Sequence, residues 1–213
     1  SPMRATLLLA FALACSSQAA PTTAPPPPPF DATPTTAEIG APAPDFVLPD
    51  PDGALTRLSD HRGKVVVLEW FNPDCPFIVS AHEDGPLKAM PQRWHDAGVV
   101  WLTVNSNAEG TQGNGASRNR KAKDQYTLPR PVLLDESGQV GRAYGAKTTP
   151  HIYIVDPEGS LVYVGGLDNA PMGRAKDGAV KAWADEAIQA VVSGGQPASP
   201  RTKPYGCSVK YKS

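Results

Sequence analysis

Two cysteines stand where thiol chemistry is expected. Cys75 follows the apolar run Lys64-Val65-Val66-Val67-Leu68-Glu69-Trp70-Phe71 and the turn Asn72-Pro73-Asp74. It opens a segment of helical character, so it sits at a strand-to-helix junction. A helix start favours an anion through its free backbone N–H groups and its dipole. The thiolate is the reactive form of cysteine, so this position lowers the pKa and raises the reactive fraction. Pro76 fits the first helical turn, where a missing N–H costs nothing. A buried, inert cysteine is the competing reading.

Cys207 lies in a tail after Pro197, Pro200 and Pro204. From Gly195, an extended chain reaches roughly 40 Å, far enough to return across a domain of this size. A Cys75–Cys207 bridge needs Cα atoms within about 7 Å. Three readings stay open. Cys207 is a resolving thiol that attacks a mixed disulfide or sulfenic acid on Cys75. Otherwise it staples the tail structurally, or it bridges two chains. Glu69 is the one charge in its apolar strand. Burial there raises a carboxyl pKa, and a general-base role follows as a hypothesis; a Glu at the solvent-facing strand end is the alternative. His82, on the same helix face as Cys75, is about 10.5 Å further along the axis, too far to touch it easily. It reads as a polar surface histidine rather than a Cys–His partner. His61, His95 and His151 lack ligand-like spacing, so neither a zinc site nor any cofactor is expected.

The elements that must position these residues follow from pattern. A short strand is predicted at 45–48. The run 64–71 is a strand buried on both faces. Helix is predicted from about Cys75 to Asp96, kinked or split at Gly85-Pro86. Residues 99–104 form a second buried strand, giving a βαβ unit with parallel pairing. A polar, Gly-rich loop occupies 105–115. A charged helix at 116–126, a short strand at 132–134 and a short helix at 138–144 follow. Strands at 151–155 and 161–164 flank Asp156-Pro157-Glu158-Gly159 as a hairpin. An amphipathic helix at 179–192 ends at Gly194-Gly195. The tail from Gln196 has no period. The fold class is α/β: a mostly parallel start with an antiparallel finish.

Composition supports one sizeable domain with appendages. Of 213 residues, 40% are hydrophobic and 19% charged, with net charge −1. No basic excess exists for nucleic acid. Much of the 24-residue proline content lies near the ends. From Met3, Arg4 and the run Leu7-Leu8-Leu9-Ala10-Phe11-Ala12-Leu13-Ala14 read as a secretory signal. That run is far short of the roughly 20 residues that span a bilayer. Ala12-Leu13-Ala14-Cys15-Ser16-Ser17 resembles the lipobox of bacterial lipoproteins, with Ala12 in the place usually held by Leu, Val or Ile. It implies lipid on Cys15 and membrane anchoring; cleavage near Gln18-Ala19-Ala20 is the alternative. Pro25 to Pro29 form a polyproline II spacer. The expected layout is a signal at 1–20, a linker at 21–40, a folded domain at 41–195 and a tail at 196–213. Such a leader implies an extracytoplasmic, periplasmic or membrane-anchored protein.

Asn72-Pro73-Asp74-Cys75-Pro76-Phe77 resembles the redoxin branch of the thioredoxin superfamily, grouped with alkyl hydroperoxide reductase/thiol-specific antioxidant (AhpC/TSA) domains. In order, His82-Glu83-Asp84, Asn105-Ser106-Asn107, Ala143-Tyr144-Gly145, Thr149-Pro150 and a strand ending at Asp156 match. Gly206-Cys207-Ser208-Val209-Lys210-Tyr211 is similar to the branch's terminal Gly-Cys-x-Ile-Lys-aromatic motif. The resemblance covers about residues 39–212. It implies a thioredoxin-like fold with a central mixed sheet, an N-terminal strand extension, and a cis-proline, Pro150, beside Cys75. It places Glu69 where thioredoxins keep a buried acid. The departures are specific. Ile78 replaces the second cysteine of Cys-x-x-Cys. Leu68 and Asn72 stand where peroxiredoxins have Pro and Thr, and Thr149-Pro150 where their arginine strand lies. Lys147-Thr148-Thr149 carries no cysteine before the proline. The leading expectation is an extracytoplasmic thiol–disulfide oxidoreductase with Cys75 as nucleophile, Cys207 as resolving thiol and Thr149-Pro150 orienting a protein substrate; a thiol electron donor closes the cycle. The alternatives are a peroxide-reducing antioxidant acting through a Cys75 sulfenic acid, and a non-enzymatic tethered module with a structural disulfide.

Overall fold

The computed structural model describes residues 36–175 and 178–212. The expected signal segment, Cys15 and the polyproline run lie outside the described residues. The centre is a five-stranded sheet whose strands lie side by side in the order 133–134, 100–105, 66–70, 151–155 and 161–165. Strands β3 (Val66–Trp70), β4 (Val100–Asn105) and β5 (Leu133–Leu134) pair in parallel. Strand β7 (His151–Val155) joins β3 antiparallel and β8 (Leu161–Gly165) continues the meander. This is the expected thioredoxin-like arrangement of a parallel start and an antiparallel finish.

Alternation along β3 sorts the core into two layers. Val66, Leu68 and Trp70 join Leu102, Val104, Tyr144 and Tyr153 on one face. Val67 joins Trp101, Ile152 and Ile154 on the other, beneath α2 (Met90–Asp96) and α5 (Trp183–Val192). Burial on both faces explains why β3 reads as a near-continuous apolar run.

The helix expected from Cys75 to Asp96 is two. Helix α1 spans Pro76–Glu83, and α2 follows after Gly85-Pro86. A side chain at Gly85 would press on the Ala81 backbone, its Cβ only 2.8 Å from Ala81 Cα, so the split needs glycine. Helices α3 (Ala116–Gln125) and α4 (Gln139–Ala143) match expectation. A ribbon of β1 (Val47–Pro49) and β2 (Leu55–Arg57) adds a strand that pattern did not give. Backbone pairing begins before the expected Ala41 boundary: Ala37 N–H donates to Ala143 O at 2.9 Å, and Gly40 N–H to Leu161 O at 2.8 Å.

The tail is where expectation and structure differ most. It docks along β8 through Val164 N–H to Pro200 O (3.0 Å) and Thr202 N–H to Val164 O (3.2 Å). It then forms β9 (Cys207–Ser208), antiparallel to β6 (Thr148–Thr149). A two-residue strand has no period to detect, so sequence pattern is silent on it. Among the described residues, no helix is long and apolar enough to cross a membrane.

Candidate active site

The turn before α1 is built by Asn72. Its Oδ1 accepts from Asp74 N–H at 2.9 Å, and its backbone carbonyl accepts from Cys75 N–H at 3.1 Å. This is the local Asx geometry that Asn favours. Three groups hold the turn from outside. Arg118, on α3, donates to Asp74 Oδ1 at 2.8 Å and to Pro73 O at 3.0 Å. Tyr126 donates its hydroxyl to Pro73 O at 2.9 Å. The 105–115 loop packs so tightly on Asn72 that only a glycine fits at Gly113, whose φ is +79°.

Cys75 is the residue that caps α1, in extended conformation, with Pro76 at the first position. Its side chain is fully buried among Phe71, Ile78, Ala122, Tyr126 and Leu128. The thiol donates to Thr149 O at 3.2 Å. The Thr149–Pro150 peptide bond is cis, as the resemblance implied. Burial alone pushes the Cys75 thiol up. Hydrogen bonds from the side chains of Cys207 and Thr149 and from the Ile78 and Cys207 amides outweigh it, so the thiol lies below its ordinary value. Among the described residues, the buried Thr149 hydroxyl has no hydrogen-bond partner of good geometry.

Cys207 comes to this place through the ladder, where it is the register partner of Thr149. It is half-buried and packs against the Cys75 cluster. Burial, and then the neighbouring Cys75 sulfur as hydrogen-bond partner and as charge, push its thiol up to about 11. The two sulfurs are therefore unlike: an inner thiol held below its ordinary value and an outer thiol held above it. Both are free thiols.

Glu69 is fully buried on the Val67 face of β3, as the buried-acid reading required. Its two oxygens are both taken. His82 Nε2 stands 2.7 Å from Oε1, and Trp101 Nε1–H donates to Oε2 at 2.9 Å. The expectation of a surface histidine is thus corrected: His82 is buried at the end of α1 and stacks edge-on against Phe71. Its spacing to Cys75 was the wrong distance to weigh, because its partner is across the sheet–helix layer. Glu69 itself was the available signal, since a charge in a buried strand must find a donor. Arg118 and Tyr126 had no such signal. Among the described residues, no cluster of three or more His, Cys, Asp or Glu side chains is placed to hold a metal ion.

Comparison with known proteins agrees with this geometry. Residues 39–164 match the AhpC/TSA family, a span that ends before the tail. The chain is 30% identical over 127 residues to the thiol-disulfide oxidoreductase ResA of Geobacillus thermodenitrificans, covering 60% of this chain and 68% of that protein. It is 29% identical over 182 residues to peroxiredoxin-2 of Cricetulus griseus, covering 79% and 91%. Among solved structures, an uncharacterized conserved protein from Geobacillus kaustophilus aligns with TM-score 0.73 and 29% identity over 82% of this chain and 93% of that one. A hypothetical protein from Sinorhizobium meliloti aligns with TM-score 0.72 and 29% identity over 84% and 97%. With its thioredoxin-like sheet and its buried thiol at a helix start, the chain belongs to the AhpC/TSA family of thiol-dependent oxidoreductases.

Proposed function

We propose that this protein is an extracytoplasmic thiol–disulfide oxidoreductase in which Cys75 attacks and Cys207 resolves. The observation that carries the reading is the ladder register: Cys207 lies opposite Thr149, whose carbonyl accepts the Cys75 thiol proton. The Cys75 thiolate attacks a substrate disulfide, forming a mixed disulfide and releasing one substrate thiolate. Cys207 then attacks the Cys75 sulfur, and its proton goes to the departing second substrate sulfur. The products are a substrate dithiol and a Cys75–Cys207 disulfide. A dithiol donor returns two electrons and two protons to the pair. The contrast in thiol acidity supports this division of roles.

Thr149 and Pro150 orient the substrate in this reading, with the Thr149 hydroxyl available to the thiolate. Glu69 acts as a positioning residue, bonded to His82 and Trp101, rather than by touching the thiol, since both its oxygens are engaged. The leader supports an extracytoplasmic location, with lipid on Cys15 as the tether. Peroxide reduction is a second reading, favoured by the long match to peroxiredoxin-2. There Cys75 becomes a sulfenic acid, and Cys207 displaces water from it.

Insulin reduction and hydrogen peroxide consumption, measured with Cys75→Ser and Cys207→Ser beside the parent, test both. Insulin turnover lost in both variants is the expected result. Peroxide turnover dependent on Cys75 with no insulin turnover would favour the second reading. Neither activity, with a disulfide that resists glutathione, would overturn both in favour of a structural bridge.

A further inference from the structure

The ladder that brings Cys207 to Thr149 has only two residue pairs. An isolated two-stranded pairing is marginal in water, so the chain on either side must hold Cys207 in place. Upstream, the Tyr205 hydroxyl donates to Asp168 Oδ1 at 2.6 Å, and its ring lies 5.9 Å from that of Phe77. Gly206, with φ +137°, lies so close to Thr149 that a Cβ would overlap the Thr149 carbonyl oxygen. Downstream, Val209 enters the core. Lys210 N–H donates to Asn107 Oδ1 at 3.0 Å, and Ala108 N–H donates to Lys210 O at 2.8 Å. Tyr211 then fills a notch at the start of α4. Two missing side chains make that notch. A Cβ at Gly138 would lie 2.6 Å from Tyr211 Cδ1, and one at Gly141 would lie 2.5 Å from the Tyr211 hydroxyl. The hydroxyl donates to Ala146 O at 2.8 Å. Arg142 closes over the ring, its guanidinium carbon 4.7 Å from the centroid, within cation–π reach. Its Nη2 also donates to Lys212 O at 2.7 Å. None of these downstream partners belongs to the cluster around Cys75.

We propose that Tyr211 and Arg142, with Gly138 and Gly141 making room for them, are positioning residues that present Cys207 to Cys75. This deepens the thiol–disulfide reading and rests on it. A thiol on a segment anchored at one end samples many places; anchored at both ends, it is confined. Tyr205 is the upstream anchor and the Tyr211 notch the downstream one, with Cys207 between them. Confinement raises the effective concentration of Cys207 at the Cys75 sulfur. It therefore speeds the attack of Cys207 on a Cys75 mixed disulfide. It also favours the Cys75–Cys207 disulfide over disulfides with free thiols, because the free thiol competes against that effective concentration. The notch acts on both from outside the thiol cluster, through the main chain of 207–211.

The test uses the full chain carrying Cys15→Ser, which leaves Cys75 and Cys207 as its thiols. One equivalent of 5,5′-dithiobis(2-nitrobenzoate) is added and thionitrobenzoate release is followed. In the first step a protein thiolate attacks the reagent: a mixed disulfide forms and one thionitrobenzoate leaves. In the second, the other cysteine attacks the protein sulfur of that mixed disulfide. The Cys75–Cys207 bond forms, a second thionitrobenzoate leaves, and a proton goes to solvent. The second step reads the positioning. Tyr211→Ala is expected to slow it about tenfold. The ratio of reduced glutathione squared to oxidised glutathione at half-oxidation should fall by about the same factor. Tyr211→Phe keeps the ring and loses the bond to Ala146, so its shifts should be intermediate. A merely structural Tyr211 would lower the urea midpoint and move neither the second step nor the glutathione ratio. That result in a folded Tyr211→Ala would overturn the positioning role and leave the redox pair standing. A parent protein with no second release would sink the redox reading itself. Should Tyr211→Ala fail to fold, the exposed Arg142→Ala decides, with both shifts in the same direction at about threefold expected for a surface cation–π contact. No shift there would overturn the proposal.

Discussion

Cys75 is approached from two sides that are built differently. The turn 72–75 is local. Asn72 makes its own hydrogen bonds to Asp74 and Cys75, and the helix start follows at once. The tail 200–212 is non-local. Each of its anchors is a distant residue: Val164, Asp168, Asn107, Lys147 and, through the Tyr211 hydroxyl at 2.8 Å, Ala146. The local side orients one thiol, and the long-range side supplies the second and, through Cys207 and Thr149, most of what lowers the pKa of the first. A thioredoxin-like fold that lacks Cys-x-x-Cys can thus still hold two thiols together, at the cost of ordering a whole tail.

This contrast can be broken in several ways, in descending size of effect. Cys75→Ser removes the nucleophile, and we expect disulfide exchange to fall to the uncatalysed level, since nucleophile loss typically costs on the order of a thousandfold or more. Cys207→Ser should instead leave the first attack intact and stall turnover, with a Cys75–substrate mixed disulfide accumulating on non-reducing gels. A variant that turned over normally would contradict the resolving role.

Removing the buried acid attacks the layer beneath both sides. Glu69→Leu leaves the His82 and Trp101 donors without a partner. We expect destabilisation of about 3 kcal/mol by denaturant unfolding, as when one member of a buried pair is deleted. Glu69→Gln keeps an acceptor and should be milder. Its informative readout is the pH profile of Cys75 alkylation, which a purely structural role would leave in place.

His151, next to Pro150, gives a pH test of the region that bears β6. Burial, then Lys147 and Arg201, hold its pKa down to about 4, against an ordinary 6.5. The folded state therefore keeps the imidazole neutral while the unfolded chain binds a proton. Its contribution is fully present above about 6.5 and is lost as pH falls toward 4. Linkage puts the loss at about 3 kcal/mol across that window. Urea melts at pH 7 and pH 4.5 should show it, and His151→Asn should flatten the difference. Equal pH dependence in both proteins would contradict the burial argument.

The smallest expected effect sharpens the local side. Arg118→Ala deletes two hydrogen bonds to the turn and should lower stability by about 1–2 kcal/mol. Exchange should slow modestly, because Asn72 still shapes the turn. A loss as large as that of Cys75→Ser would mean that Arg118, and not the local turn, positions the thiol.

Legibility in the sequence followed the same divide. The βαβ unit, the β7–β8 hairpin and the cysteine at the helix start are short-range patterns, and all three were readable. So was the burial of Glu69, because one charge in an apolar strand stands out. Its partner was not, since His82 pairs across the sheet–helix layer and its own neighbours look like a polar helix end. The tail's reach to Cys75 was readable, but its register was not. Prolines and a two-residue strand carry no period, and nothing in Gly206-Cys207-Ser208 alone says which edge it will meet. The glycine has meaning only once the Thr149 carbonyl is seen beneath it.

The central claim is that Cys75 and Cys207 form one redox pair within a chain. The most direct measurement is mild oxidation of the full protein with diamide, followed by intact mass and non-reducing peptide mapping. The expected outcome is a monomer two hydrogens lighter, with a Cys75–Cys207 linked peptide as the main product. A dimer linked through Cys207, or a monomer in which Cys207 stays alkylatable while Cys75 is oxidised, would contradict it.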